Sequence, residues 1–339
     1  MALELGLDTF GDVTNGPDGQ PQHHAAVLRE VVEQGVAADQ AGVDVISLGE
    51  HHRADFAISA PETVLAAIAA RTSRIRLGSG VTVLSSDDPI RVFQRFATLD
   101  AVSGGRAEVI VGRGSFIESF PLFGHDLNDY ERLFEEKLDL FSHLIRDARV
   151  TWAGTIHPGL RDQPVFPPTE RPLKTWIGVG GSPESVVRAA HYRMPMMLAI
   201  IGGPAARFRP YVDLYLRAHA EAGTEPQALG VHSPGHVAQT DALAREQYWA
   251  GYKRMHDTIG RERGWPPITP ADFLREVEHG AMYVGSPETV ARKIAGTVKA
   301  LGLSRFQLKY SAGPVAHAYS MEAIRLYGER VMPMVREMV

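Results

Sequence analysis

Short runs of nearly continuous apolar residues alternate along the chain with longer segments whose apolar positions recur at helical spacing. The short runs cover residues 3–9, 43–48, 75–84, 107–112, 175–179, 196–201, 229–236 and 305–310, and each predicts a strand. They are filled rather than alternating, the pattern of parallel strands covered on both faces. Helical patterns follow at 25–40, 61–70, 89–102, 128–145, 183–190, 208–222, 241–260, 286–301 and 321–335. Several open on a capping residue followed by proline, as at Ser182-Pro183 and Ser286-Pro287. Eight strand-then-helix units predict an α/β fold, a single (β/α)8 TIM barrel spanning 1–339. Two irregular stretches interrupt it. Residues 154–174 carry five prolines, and 260–270 reads GRERGWPPITP. They predict insertions near 154–174 and 260–280 rather than domain boundaries.

Composition narrows the function classes. The 339 residues are 44% hydrophobic and 22% charged, ordinary values for a globular chain. A net charge of −5 argues against a basic face for nucleic acid. The N-terminal MALELGLDTFGD lacks a basic leader followed by an apolar stretch. The longest apolar run, 194–203, is too short to span a bilayer. The expectation is a soluble cytoplasmic protein with neither nucleic-acid nor membrane partners. There is no cysteine, which excludes disulfides, thiolate metal sites, iron–sulfur clusters and a cysteine nucleophile. Fourteen histidines remain as bases or ligands.

Four clusters carry the candidate chemistry, three of them at the C-terminal end of a predicted strand, where barrel active sites form, and one inside a strand. Gly49-Glu50-His51-His52 offers an acid and two histidines, able to serve as base, hydrogen-bond donor or metal ligand. On an extended chain adjacent histidines point opposite ways, so one of them faces the site; Glu50 and His51 are the catalytic candidates. The competing reading is a polar rim of structural hydrogen bonds. Gly78-Ser79-Gly80-Val81 puts glycines inside a strand, a sign of close approach by a ligand or of a bulge. Gly112-Arg113-Gly114-Ser115 places an arginine between glycines, suited to a phosphate or to a neighbouring carboxylate. Gly178-Val179-Gly180-Gly181-Ser182-Pro183-Glu184-Ser185 leads from a strand into a helix whose free amides make an anion site. It is neither a dinucleotide fingerprint nor a P-loop. Gly285-Ser286-Pro287-Glu288 repeats the start signal and reads as plain capping. His232 and His236 have Ser-Pro-Gly between them, so they cannot share a helix face as zinc ligands would.

In order and spacing these clusters resemble the bacterial luciferase-like flavin-dependent oxidoreductases. Further landmarks are Gly42-Val43-Asp44, Arg76-Leu77, Leu99-Asp100, Ser103-Gly104-Gly105-Arg106 and a closing Val331-Met332-Pro333. The resemblance implies a barrel that binds reduced FMN as a co-substrate and uses molecular oxygen on a small organic substrate, through a peroxide at flavin C4a. It assigns His51 to proton transfer beside the reacting centre. It assigns Ser79, Gly80 and Val81 to a bulge under the flavin ring, with a cis Gly80–Val81 peptide. Arg113, Gly180, Gly181, Ser182 and Ser185 fall on the phosphate site. Some members carry a second phosphate arginine early in the next helix; here the register puts Glu131 there, with Arg132 the nearest candidate. No metal is implied.

Because no dinucleotide fingerprint is visible, a separate NAD(P)H-dependent flavin reductase is the expected source of reduced cofactor. Three alternatives stand beside this reading. One is an F420-dependent hydride-transfer enzyme of the same fold. Another is a flavoprotein that stores FMN without turnover. The third is a metal-dependent hydrolase built on Glu50, His51 and His52. Segment 60–71, APETVLAAIAAR, is small and apolar around much of its circumference, which predicts a homodimer.

Overall fold

The computed structural model describes residues 2–16, 19–114 and 116–339. In chain order its strands are β1 (Glu4–Thr9), β2 (Val45–Leu48), β3 (Arg76–Ser79), β4 (Thr82–Val83), β5 (Ala107–Gly112), β6 (Val150–Trp152), β7 (Leu160–Gln163), β8 (Lys174–Val179), β9 (Met196–Ala199), β10 (Leu229–Val237), β11 (Tyr283–Gly285) and β12 (Arg305–Lys309). Eight of them close a parallel barrel in the order β1, β2, β3, β5, β8, β9, β10, β12, with β12 returning to β1. These are the eight runs read from the sequence. Strands β2 and β5 are buried at every residue, the result of helices outside and side chains within.

Four details differ from the sequence reading, the first being β11, which no predicted run covers and which pairs with β10. The run at 75–84 is two strands, β3 and β4, broken where the chain turns at Gly80–Val81. The proline-rich 154–174 stretch contains β7, which pairs antiparallel with β6 in a hairpin outside the barrel. Its exposed Arg161-Asp162-Gln163 carry no apolar pattern that could announce it. Within 260–280 lies a helix, Pro270–His279, opened by a reciprocal Thr269–Asp272 capping box.

The barrel floor holds an ionic plug. Arg305 on β12 is fully buried, bonds Glu4 Oε2 on β1 at 2.6 Å, and pairs with the buried Glu108 on β5. Its guanidinium stands 4.3 Å from the centre of the Trp176 ring. Such a buried cluster holds only because each charge is paired. It closes the N-terminal end of the barrel and leaves the other end to the site. The Pro61–Ala69 helix buries Leu65 and Ile68 and exposes Thr63 and Ala67. Among the described residues no helix is long and apolar enough to cross a membrane.

Candidate functional site

The C-terminal rim of the barrel opens on a cleft of about 890 Å³, its open mouth included. All four sequence clusters reach it: Glu50 and His51 after β2, Gly80 and Val81 between β3 and β4, Gly112 to Gly114 at the end of β5, and Gly178 to Gly180 at the end of β8, whereas Gly181, Ser182 and Ser185 lie just outside its lining. Ser115, named with the third cluster, lies outside the described residues.

The Gly80–Val81 peptide is cis, and Val81 lines the cleft. Glycines make room for its side chain. A Cβ on Gly112 would lie 2.8 Å from a Val81 methyl, and one on Gly178 would lie 2.9 Å from the other. Glu50 fixes the next residues: Val83 N–H donates to its Oε2 at 2.8 Å, and His52 Nε2 bonds its Oε1 at 2.8 Å. With both oxygens engaged, Glu50 ties the β2 loop to the bulge, which is the geometry of a positioning residue. His52 turns to Glu50 and His51 to the cleft, the opposed directions of neighbours on an extended chain.

His51 sits in an aromatic box, its ring 4.5 Å from Phe10, 4.7 Å from Phe56 and 5.1 Å from Phe116. Burial, reinforced by the nearby Lys309 ammonium, pulls its pKa down to about 3. The imidazole is therefore neutral at physiological pH. Its Nε2 is buried and finds no partner among the described residues. An orphaned polar atom of this kind costs stability unless a ligand meets it.

The anion end is built around the helix Pro183–His191. Ser182 is its N-cap: its Oγ accepts from Ser185 N–H at 3.3 Å and donates to Ser185 Oγ at 2.9 Å. Gly181 has φ +108°, and a side chain on Gly180 would meet nothing within 4 Å, so the backbone there stands open. Arg113 donates to Ser185 Oγ at 3.3 Å and pairs with Glu131. Arg188, which sequence reasoning missed, donates to the same hydroxyl at 3.4 Å. It also reaches Glu131 at 3.4 Å and Glu135 at 2.9 Å. Its signal was the i+3 spacing from Ser185, which puts both on one helix face. Arg132 is not the second cation: it pairs with Asp129 at 3.1 Å and lies near Thr155. Glu131 pairs with both Arg113 and Arg188, so Arg188 brings a second positive charge to Ser185.

His232 also lines the cleft, whereas His236 is buried against Tyr248 and bonds Gln247 at 2.8 Å. No group of three His, Cys, Asp or Glu that could hold a metal occurs among the described residues. Two arginines, two serine hydroxyls and free helix amides fit a phosphate. The Val81 bulge and the unmatched His51 Nε2 fit a planar group beside it.

The luciferase-like monooxygenase family model matches residues 9–305. N-acetyl-S-alkylcysteine monooxygenase of Bacillus subtilis is 31% identical over 300 residues, 83% of this chain and 87% of its own. The oxygenating constituent of 3,6-diketocamphane monooxygenase from Pseudomonas putida, solved with FMN, superposes with a TM-score of 0.79 at 20% identity, covering 98% of this chain and 99% of that one. An F420-dependent secondary alcohol dehydrogenase superposes with a TM-score of 0.75 at 16% identity, covering 99% of each. The sequence landmarks, the closed barrel and the matched span agree: this chain is an oxidoreductase that belongs to the luciferase-like monooxygenase family.

Proposed function

We propose that the cleft binds reduced FMN and that the protein is an oxygen-dependent monooxygenase of a small organic substrate. One observation carries this reading. Arg113, which lines the same cleft as the Val81 bulge and His51, is bonded to Ser185 in a phosphate cradle that Ser182 and Arg188 complete just beyond the cleft wall. Reduced FMN, when bound, supplies the electrons that activate dioxygen. The chain's own residues do the rest. Ser182, Ser185 and the arginines hold the phosphate, and Val81, seated by Gly112 and Gly178, supports the ring. Phe10, Phe56 and Phe116 keep water from His51. The neutral His51 offers its Nε2 as one hydrogen-bond partner at the reacting centre. A separate flavin reductase delivers the reduced cofactor.

A specific observation favours one second reading, F420 in the same cleft. Glu131 offsets one arginine charge, which suits a phosphate diester bearing one negative charge better than a monoester bearing two. Anaerobic titration separates the readings. Reduced FMN is expected to bind saturably and to consume oxygen on exposure to air in the presence of substrate. Binding of F420 with no binding of FMN overturns the proposal.

A further inference from the structure

His232 lies on β10, and its side chain faces the cleft. In the barrel order β10 stands four places from β3, so His232 faces the Gly80–Val81 bulge across the mouth. Its Nδ1 is 2.7 Å from Asp8 Oδ2 on β1. A carboxylate only accepts, so in this pairing Nδ1 is the donor and Nε2 is the ring nitrogen left to meet a ligand. Asp8 is wholly buried. Its Oδ1 has no partner among the described residues, and its Oδ2 is engaged by His232. The imidazole is fixed further by Phe10, stacked at 6.0 Å and 14°. The pairing reaches across 224 positions of sequence.

Resting on the cofactor reading above, we propose that Asp8 and His232 are a proton-transfer pair that takes the hydroxyl proton of an aromatic or enolic substrate. The substrate O–H bond breaks, the proton goes to His232 Nε2, and the electron pair stays on oxygen. Asp8 balances the imidazolium, and the proton returns when product oxygen is reprotonated. Asp8 orients and balances; His232 makes the contact, the division of labour of any acid–imidazole pair that works through one ring nitrogen. The walls favour such a substrate. With Val81 given to the cofactor ring, Phe10 and Met197 remain to present apolar surface to a flat substrate ring, while His232 offers one acceptor for its hydroxyl.

His51 cannot take this part, because burial keeps it neutral down to a pKa of about 3. The other charged groups facing the pair are spoken for. Lys309 on β12 stands 4.5 Å from the Phe10 ring centre and bonds Asp12 at 3.1 Å, and Glu50 holds Val83 and His52.

The test uses 4-nitrophenol, whose phenolate is coloured, with the FMN-loaded protein. At saturation the wild type is expected to ionise the phenol about one pH unit below its solution value, a tenfold gain in acid constant. His232→Gln is expected to abolish the displacement, and Asp8→Asn to diminish it, with FMN affinity unchanged in both. Nitrogen-15 spectra of histidine-labelled protein are expected to show the Nδ1–H tautomer at His232. An equal displacement in His232→Gln, no displacement in the wild type, no phenol binding, or an Nε2–H tautomer each overturns the pair. Failure of FMN to bind overturns the cofactor reading instead, and the phenol titration of the cofactor-free protein then decides the pair.

Discussion

Glu131→Gln is expected to tighten FMN binding. The carboxylate sits at the rim, 57% exposed, against Arg113 and the more buried Arg188. Each ion pair of this exposure contributes about 0.2–1 kcal/mol. A phosphate must displace Glu131 from both arginines, so removing the carboxylate spares about 0.5–2 kcal/mol. At about 1.4 kcal/mol per tenfold, that is a roughly 2- to 30-fold lower Kd. The amide keeps the shape and loses only the charge. Flavin fluorescence titration with FMN and with riboflavin separates the phosphate end from the ring end. FMN should gain affinity, riboflavin should not, and the gain should shrink as salt screens the rim. Arg188→Met should move FMN the other way with riboflavin again unmoved. Weaker FMN binding by Glu131→Gln, or an equal change for riboflavin, refutes the competition argument. Either result would mean that Glu131 holds the arginines in place rather than contesting them.

Two further expectations follow from the bulge and from His51. Gly178→Ala places a Cβ 2.9 Å from a stiff, β-branched Val81; overpacking of this kind costs about 1–3 kcal/mol. Thermal unfolding and FMN titration should both register it, and unchanged values in both would remove the role given to Gly178. His51 has a pKa of about 3 folded against 6.5 for the free side chain, so the unfolded chain binds the proton first. The stability it contributes is full above pH 6.5 and is lost as pH falls toward 3, at up to about 1.4 kcal/mol per pH unit. Urea midpoints measured from pH 6.5 downward should fall more steeply for the wild type than for His51→Phe; parallel curves would show that His51 is not the buried neutral group described.

The barrel was legible because its signal is written locally and often. Strands covered on both faces need continuous apolar runs, and helices need caps, so β5 and the helix Pro183–His191 announce themselves within ten residues. The hairpin of β6 and β7 had no such signal, since Arg161 to Gln163 face solvent. The helix at Pro270–His279 did have one: Thr269-Pro270-Ala271-Asp272 is a capping-box pattern, masked by the prolines just before it.

The site divides along the same physical line. Groups fixed by their own backbone turn were legible: the Ser182 cap and the opposed directions of His51 and His52 follow from neighbours in sequence, while the glycines at 78 and 80 left close approach and a bulge open until the resemblance pointed to the Gly80–Val81 peptide. Groups fixed by barrel closure were not. Arg188 meets Arg113 at Ser185, and Asp8 meets His232, only because β1, β5, β8 and β10 converge on one mouth. The same closure redistributes chemistry within a motif. Glu50 and His51 are adjacent and look interchangeable as acid and base, yet one is consumed by Val83 N–H and His52, and the other is desolvated by three aromatic rings. A residue's availability for proton transfer is set by what closes over it, so a histidine read as incidental can be better placed for that work than the one inside the recognisable motif.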